Sequence, residues 1–333
     1  MRAEALEAAA AARRLLDDGS GAIAAAAAAI RARAPRVVVV CGRGSSDHAG
    51  LFLRYLVETR LGLIASLSAP SVHSSYRRAL AMDDALFVVV SQSGRSPDLV
   101  AATRSARAAG ALTVAMVNEV DSPVAAAAGA VVPILAGPER SVAATKSVVN
   151  SMLAGALLVA ALGGDDALLA ALHGLPERLA AAGALDWSAW ADRLVAAPVA
   201  CIAARGPGLA VALELSLKLA ETARLPAIAH SSAELRHGPR AMLGAHTPVL
   251  ALRLPDATAS SVDDLVVDLR AQGVPIDVAG GAAGTLPWIG DGDAIADAIT
   301  MLVPGYLAIE RLARRRGNDP DSPPFLSKVT ETL

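Results

Sequence analysis

Three β-branched residues, Val88, Val89 and Val90, run without a polar break into Ser91-Gln92-Ser93-Gly94-Arg95-Ser96, and Pro97 follows. An unbroken apolar run suits a strand buried on both faces, as in a parallel sheet covered by helices. Proline is favoured at the first position of a helix. The stretch therefore reads as a strand feeding a hydroxyl-lined turn at a helix N-terminus. Such an end presents unpaired N–H groups and partial positive charge. The turn reads as an anion seat, and a phosphorylated small molecule as its guest.

The same pattern recurs along the chain. Apolar strands are predicted over 37–41, 86–90, 112–117 and 131–135. Helices are predicted from the turn at Gly42 to about Thr59, over 97–109, and from about Thr145 to Leu162. Ser122 stands where it would cap a short helix. Residues 2–33 read as one or two alanine-rich helices. After Gly163-Gly164-Asp165-Asp166 and connecting helices, the alternation restarts with strands over 199–203, 248–254 and 274–278. Helices follow over 209–223, 260–272 and 295–316, and Pro304 with Gly305 predicts a kink in the last. The two halves open alike, Val38-Val39-Val40-Cys41-Gly42-Arg43-Gly44 against Val199-Ala200-Cys201-Ile202-Ala203-Ala204-Arg205-Gly206. They predict two similar α/β units with parallel sheets, arisen by duplication. The expected organisation is a helical segment 1–30, units over 31–165 and 196–316, a connector 166–195, and an irregular tail 317–333.

Composition narrows the function. A net charge of -2 and 3% aromatic residues give no basic surface or stacking platform for nucleic acid, and no attraction to an anionic membrane. No uncharged run approaches the roughly 20 apolar residues of a membrane span, the most apolar helix being 151–162, and no secretory leader is visible, so a cytoplasmic chain is expected. The two cysteines, Cys41 and Cys201, end separate apolar runs and read as buried free thiols. The histidines other than His237 show no metal-ligand spacing, and no metal or cofactor is called for.

The turn Gly42-Arg43-Gly44-Ser45-Ser46 is neither a dinucleotide fingerprint nor a Walker loop: the third glycine and the Gly-Lys-Ser/Thr ending are both absent. Paired with the serine turn, it would aim a second set of hydroxyls and N–H groups at one point. These residues carry a resemblance. With Val142-Ala143-Ala144-Thr145-Lys146, with Glu214, Lys218 and Glu221, with Ala233-Glu234-Leu235-Arg236-His237-Gly238-Pro239 and with Ser327-Lys328-Val329-Thr330, the chain resembles double sugar isomerase (SIS) domain proteins. It is most similar to the isomerase half of glucosamine-6-phosphate synthase and its stand-alone deaminase relatives, from about residue 30 onward. The resemblance implies two SIS subdomains, each a parallel sheet between helices in three α/β/α layers, with the C-terminal tail over the site.

It also implies roles. Ser91, Ser93 and Ser96 would hold phosphate, and Gln92, Ser45 and Ser46 both phosphate and sugar oxygens. Helix capping is the commonest use of serine at such a turn, but several clustered serines exceed what one cap needs. Val142 and Ala144 would meet the sugar mainly through backbone. The synthase has serine where Ala144 stands, so one side-chain contact is lost, and Arg95 also departs from the synthase, which has an acid there. Glu214, Lys218 and Glu221 share a helical face, and spacing alone describes a solvated salt-bridged stripe. By resemblance Glu221 is the base that moves a proton between C1 and C2. Lys218 would steady the developing enediolate oxygen, and Glu214 would be structural. His237, placed in a loop, would open the sugar ring from the neighbouring subunit, which implies an obligate homodimer with shared sites. Lys328 would form an imine or act electrostatically, with the tail folded back as a lid.

No glutaminase domain precedes the isomerase-like part, so the expectation is a glucosamine-6-phosphate deaminase working on a phosphorylated amino sugar. Galactosamine 6-phosphate or a fructosamine 6-phosphate are alternative substrates, and a non-catalytic sugar-phosphate sensor is the alternative class.

Overall fold

The computed structural model describes residues 1–290 and 292–328. The chain separates into two compact units. Among the described residues, one takes Ala10–Glu139, Lys146–His173 and Ser327 with Lys328; the other takes Met1–Ala9, Arg140–Thr145 and Gly174–Leu326.

The first is built on five parallel strands: β1 (Val37–Cys41), β2 (Ile64–Leu67), β3 (Ala85–Ser91), β4 (Leu112–Val117) and β5 (Ala130–Pro133), in the order β2-β1-β3-β4-β5. Every residue of β3 is buried, as its unbroken apolar run requires. Alternate residues serve opposite faces. Cys41, Phe87, Val89, Ala115 and Val117 pack with Leu99, Ala102 and Ala106 of the helix Pro97–Ala108. Val38 and Val88 face Ile30, Leu53 and Leu158 from the helices Ser20–Arg33, Ser45–Leu56 and Lys146–Gly163. The sheet thus lies between two helical layers, as expected.

The second unit carries four parallel strands: β6 (Ala200–Ala204), β7 (Ala227–Ser231), β8 (Val249–Leu252) and β9 (Ile276–Ala279), in the order β7-β6-β8-β9. The helix Gly208–Ala223 packs against β6, β7 and the helix Leu302–Arg315. Cys201, Ala203 and Val249 meet Leu265 and Leu269 of the helix Ala259–Ala271 on the other face.

Several expectations need correction. Two strands, β2 and β7, have no counterpart in the sequence reading. Both are edge strands, and polar residues interrupt their apolar runs, Ser66 in β2 and His230 with Ser231 in β7. The N-terminal region forms three helices, Arg2–Leu6, Ala8–Asp18 and Ser20–Arg33. The single kinked helix of residues 295–316 is two, Ala294–Thr300 and Leu302–Arg315. Proline's ring clashes with the carbonyl four residues back, here Thr300. The break falls at Met301, which leaves Pro304 in a first turn, where a missing N–H costs nothing. The helix predicted from about Thr145 to Leu162 stands at Lys146–Gly163, but, against the expectation that no stretch approaches a membrane span, its 18 residues are long and apolar enough to span a bilayer by composition alone. Its most apolar window is 83% buried within the fold, which accounts for the composition. Ser122 caps its helix as predicted, accepting from the Ala125 N–H.

Cys41 and Cys201 are buried and unbridged, and burial pushes both thiols up to about 12. The thiolate is the reactive form. The native protein should therefore leave Ellman's reagent unreacted at pH 8, and unfolding should release both thiols. Rapid labelling of the native chain would contradict this packing.

Candidate active site

The strand order reverses at β1, which lies between β2 and β3. In doubly wound sheets, ligands bind outside the carboxyl ends of the strands at such a point. The turns after β1 and β3 leave these adjacent ends, with Cys41 paired to Val89 in register.

The serine turn is held by its own backbone and its neighbours. Ser91 Oγ accepts from the Gly94 N–H at 3.0 Å, and Ser93 Oγ from the Arg95 N–H at 3.3 Å. The Gln92 and Gly94 carbonyls accept from Asn118 and Val124 at 3.3 and 3.0 Å. Gly94 has φ +61, and a Cβ there would lie 2.0 Å from Ser122 Oγ. Only glycine fits this position. Ser96 precedes Pro97 as N-cap, yet its side chain makes no capping bond. Ser91 is buried, whereas Gln92, Ser93 and Ser96 are half-buried.

Ser45 and Ser46 open the helix after the first turn and are also half-buried. A Cβ at Gly42 would lie 2.7 Å from the Ser46 backbone, so this turn too needs glycine for close approach. An unforeseen residue ties the two turns together. Asp98, fully buried in the first turn of the helix Pro97–Ala108, accepts from Arg43 Nε at 2.6 Å. Neither residue is informative alone, and their pairing becomes visible only once β1 and β3 are known to be neighbours. Burial raises the Asp47 carboxyl, against the pull of His48 and Arg43, which disfavours negative charge near this turn.

Lys328 also belongs to this unit. Its Nζ lies 3.5 Å from Oε2 of Glu139, a fully buried side chain absent from the sequence reading. Val329 and Thr330, the rest of that motif, fall outside the described residues.

In the four-stranded unit, the helix Gly208–Ala223 carries the predicted charged face inward instead of into solvent. Lys218 Nζ sits 2.5 Å from Glu221 Oε2 and 3.5 Å from Glu214 Oε1. The side chains of Lys218 and Glu214 are 1% and 0% exposed, that of Glu221 25%. Tyr306 donates to Glu214 at 3.2 Å. Glu214 thus braces the cation, while Glu221 keeps an open side. It lines a groove of roughly 480 Å³ with Arg224, Pro226, Pro324, Phe325 and Leu326, so this stretch of the tail does flank the carboxylate.

His237 is not in a loop. It ends the helix Ser232–His237, which Ser231 caps by accepting from Glu234 N–H at 3.3 Å and which buried Leu235 anchors. Its side chain is exposed. Val142 and Ala144 lie half-buried in the segment Arg140–Thr145, where the Val142 N–H donates to the Asp321 carbonyl at 3.3 Å and Ser141 Oγ donates to Asp321 Oδ1 at 2.7 Å. Among the described residues no group of three or more His, Cys, Asp or Glu is arranged to hold a metal.

The SIS domain family matches residues 32–161 and 194–279. The chain belongs to the SIS domain family. A glutamine–fructose-6-phosphate aminotransferase of Symbiobacterium thermophilum is 35% identical to this SIS protein over 256 residues, 74% of this chain and 42% of the relative. The chain spans about half the length of the curated relatives it matches. A solved structure from Silicibacter pomeroyi, called a "putative phosphosugar isomerase", superposes with a TM-score of 0.92 at 42% identity, covering 96% of this chain and 99% of that one. A glucosamine-6-phosphate deaminase of Thermotoga maritima shares the fold at 20% identity, with a TM-score of 0.77 over 97% of this chain and 100% of that one.

Proposed function

We propose that this SIS protein is a phosphosugar aldose–ketose isomerase that deaminates glucosamine 6-phosphate to fructose 6-phosphate and ammonia. The observation that carries the reading is the Lys218–Glu221 pair, in which a buried cation lies 2.5 Å from a carboxylate that keeps one side open to a groove. A fixed carboxylate beside a cation suits proton transfer between the carbons of an open-chain sugar, since the cation offsets charge growing on the enediolate oxygen. Family membership and the isomerase and aminotransferase names of the relatives point the same way.

In this reaction the hydroxyls of Ser91, Ser93 and Ser96 hold the phosphate. Gln92, Ser45 and Ser46 hold phosphate and sugar oxygens, and Val142 and Ala144 meet the sugar. His237, supplied by a second copy of the chain in a homodimer, opens the ring. Glu221 takes the proton from C2 and returns it to C1, which leaves an imine at C2. Water adds to that carbon, and ammonia departs. Lys328 supports charge at the reacting end. The deaminating direction needs only water as second reactant, whereas amination needs delivered ammonia.

The test is ammonia release across a panel of glucosamine, galactosamine and fructosamine 6-phosphates. Stoichiometric ammonia and fructose 6-phosphate from glucosamine 6-phosphate are expected. No ammonia from any of the three would reject the deaminase reading, and release from another member alone would reassign the substrate.

A further inference from the structure

We propose that Glu139 is a positioning residue that seats the ammonium of Lys328. The inference rests on the reading above only in giving Lys328 a part in the reaction. Glu139 is a fixed anion. Its side chain is 0% exposed, one oxygen accepts from the Ser147 N–H at 3.3 Å, and the other from Ser147 Oγ at 2.5 Å. Ser147 lies in the first turn of the 18-residue helix Lys146–Gly163, so the carboxylate is held where a helix N-terminus favours negative charge.

Lys328 is the opposite kind of group. It follows the last helix, Leu302–Arg315, by a dozen residues of irregular chain, and its side chain keeps 25% exposure. A lysine amine on a flexible four-carbon stem samples many positions unless an acceptor fixes it. The 3.5 Å approach to Glu139 provides that acceptor. A carboxylate braced by a rigid helix thereby defines where the amine of an irregular tail rests. Because the Glu139 side chain is 0% exposed, withdrawing the ammonium strands its charge away from water, so separating the two costs more than separating an exposed surface pair.

Trypsin reads this seat directly, because cleavage after Lys328 requires that side chain to leave Glu139 and enter the protease. Limited proteolysis followed by intact mass should show slow cleavage at Lys328 in the unmodified protein. Glu139→Gln should raise the rate at that bond about tenfold, with cleavage at the chain's other lysines and arginines unchanged. Glu139→Asp keeps the charge but withdraws it by one methylene, so it should shift the same bond in the same direction by less. That milder variant decides the matter if Glu139→Gln does not fold. Unchanged cleavage after Lys328, or an equal rise at every site, would overturn the seat.

Turnover separates seating from catalysis. Glu139→Gln should lower kcat in the native background and add nothing to Lys328→Met, because its contribution acts through the lysine. A further loss in the double variant would overturn the positioning role. If Lys328→Met keeps full turnover while the selective cleavage effect is present, the seat stands and the part given to Lys328 in the reaction falls.

Discussion

Glu221→Gln is expected to lower turnover of glucosamine 6-phosphate by about a hundred- to ten-thousand-fold, the range that a positioned general base contributes. The substitution is nearly isosteric. The amide oxygen still accepts from Lys218, now 2.5 Å from the carboxylate, so the helix Gly208–Ala223 should keep its packing and the unfolding midpoint should move little. Affinity for the sugar phosphate should hold, because the groups assigned to the phosphate lie on the turn after β3. Two measurements separate base from scaffold. Ammonia release gives the rate. Incorporation of solvent deuterium at C1 or C2 gives the proton transfer itself, and it should vanish even where slow binding or ring opening continues. A variant that retains kcat within a few-fold, or that still exchanges deuterium, would remove Glu221 from the role of base and leave the pair structural.

The central strands of both sheets were legible because each is an apolar run bounded by a small-residue turn. β1, β3, β4 and β6 appear where those runs stand, and β3 is buried throughout. The edge strands β2 and β7 were not legible. The other two edges, β5 and β9, were read from their apolar runs, but Ile64 of β2 is 73% exposed, and Ser66 in β2 and His230-Ser231 in β7 interrupt theirs. Local chemistry was read well where a few residues settle it, as with the Ser122 cap. Spacing placed Glu214, Lys218 and Glu221 on one face but could not say whether that face met water. The resemblance favoured an inward role, and the near-complete burial of Lys218 and Glu214 agrees with it. Asp98 and Glu139 escaped notice for a different reason. Their partners Arg43 and Lys328 lie 55 and 189 residues away. Such pairs depend on strand order and on the course of the tail, which no local window contains. For His237 the motif was recognised but its local structure was not, since flanking Gly238 and Pro239 suggested a loop while the Ser231 cap and Leu235 built a short helix.

Lys218→Met should be the most destabilising single change at the candidate site. Methionine roughly matches the lysine stem in volume, so packing is nearly conserved and the effect is electrostatic. With the cation gone, the Glu214 carboxylate, 0% exposed and accepting from Tyr306 at 3.2 Å, loses the ammonium 3.5 Å away. Removing one member of a buried ion pair costs about 3–5 kcal/mol, because the remaining charge is stranded away from water. Denaturant midpoints should show a loss of this order. Replacing both buried charges is a different matter, since a buried pair can be exchanged for apolar side chains at little net cost. Lys218→Met with Glu214→Leu should therefore recover much of the lost stability, less the contribution of the lost Tyr306–Glu214 hydrogen bond. Activity should not recover with it, because the cation 2.5 Å from the Glu221 carboxylate would be gone. Stability that returns while ammonia release stays low would separate the two uses of Lys218, as counterion to Glu214 and as partner to Glu221. If Lys218→Met alone leaves the midpoint unchanged, the buried charges are not coupled as their distances indicate. If the double variant turns over normally, the cation has no part in the chemistry.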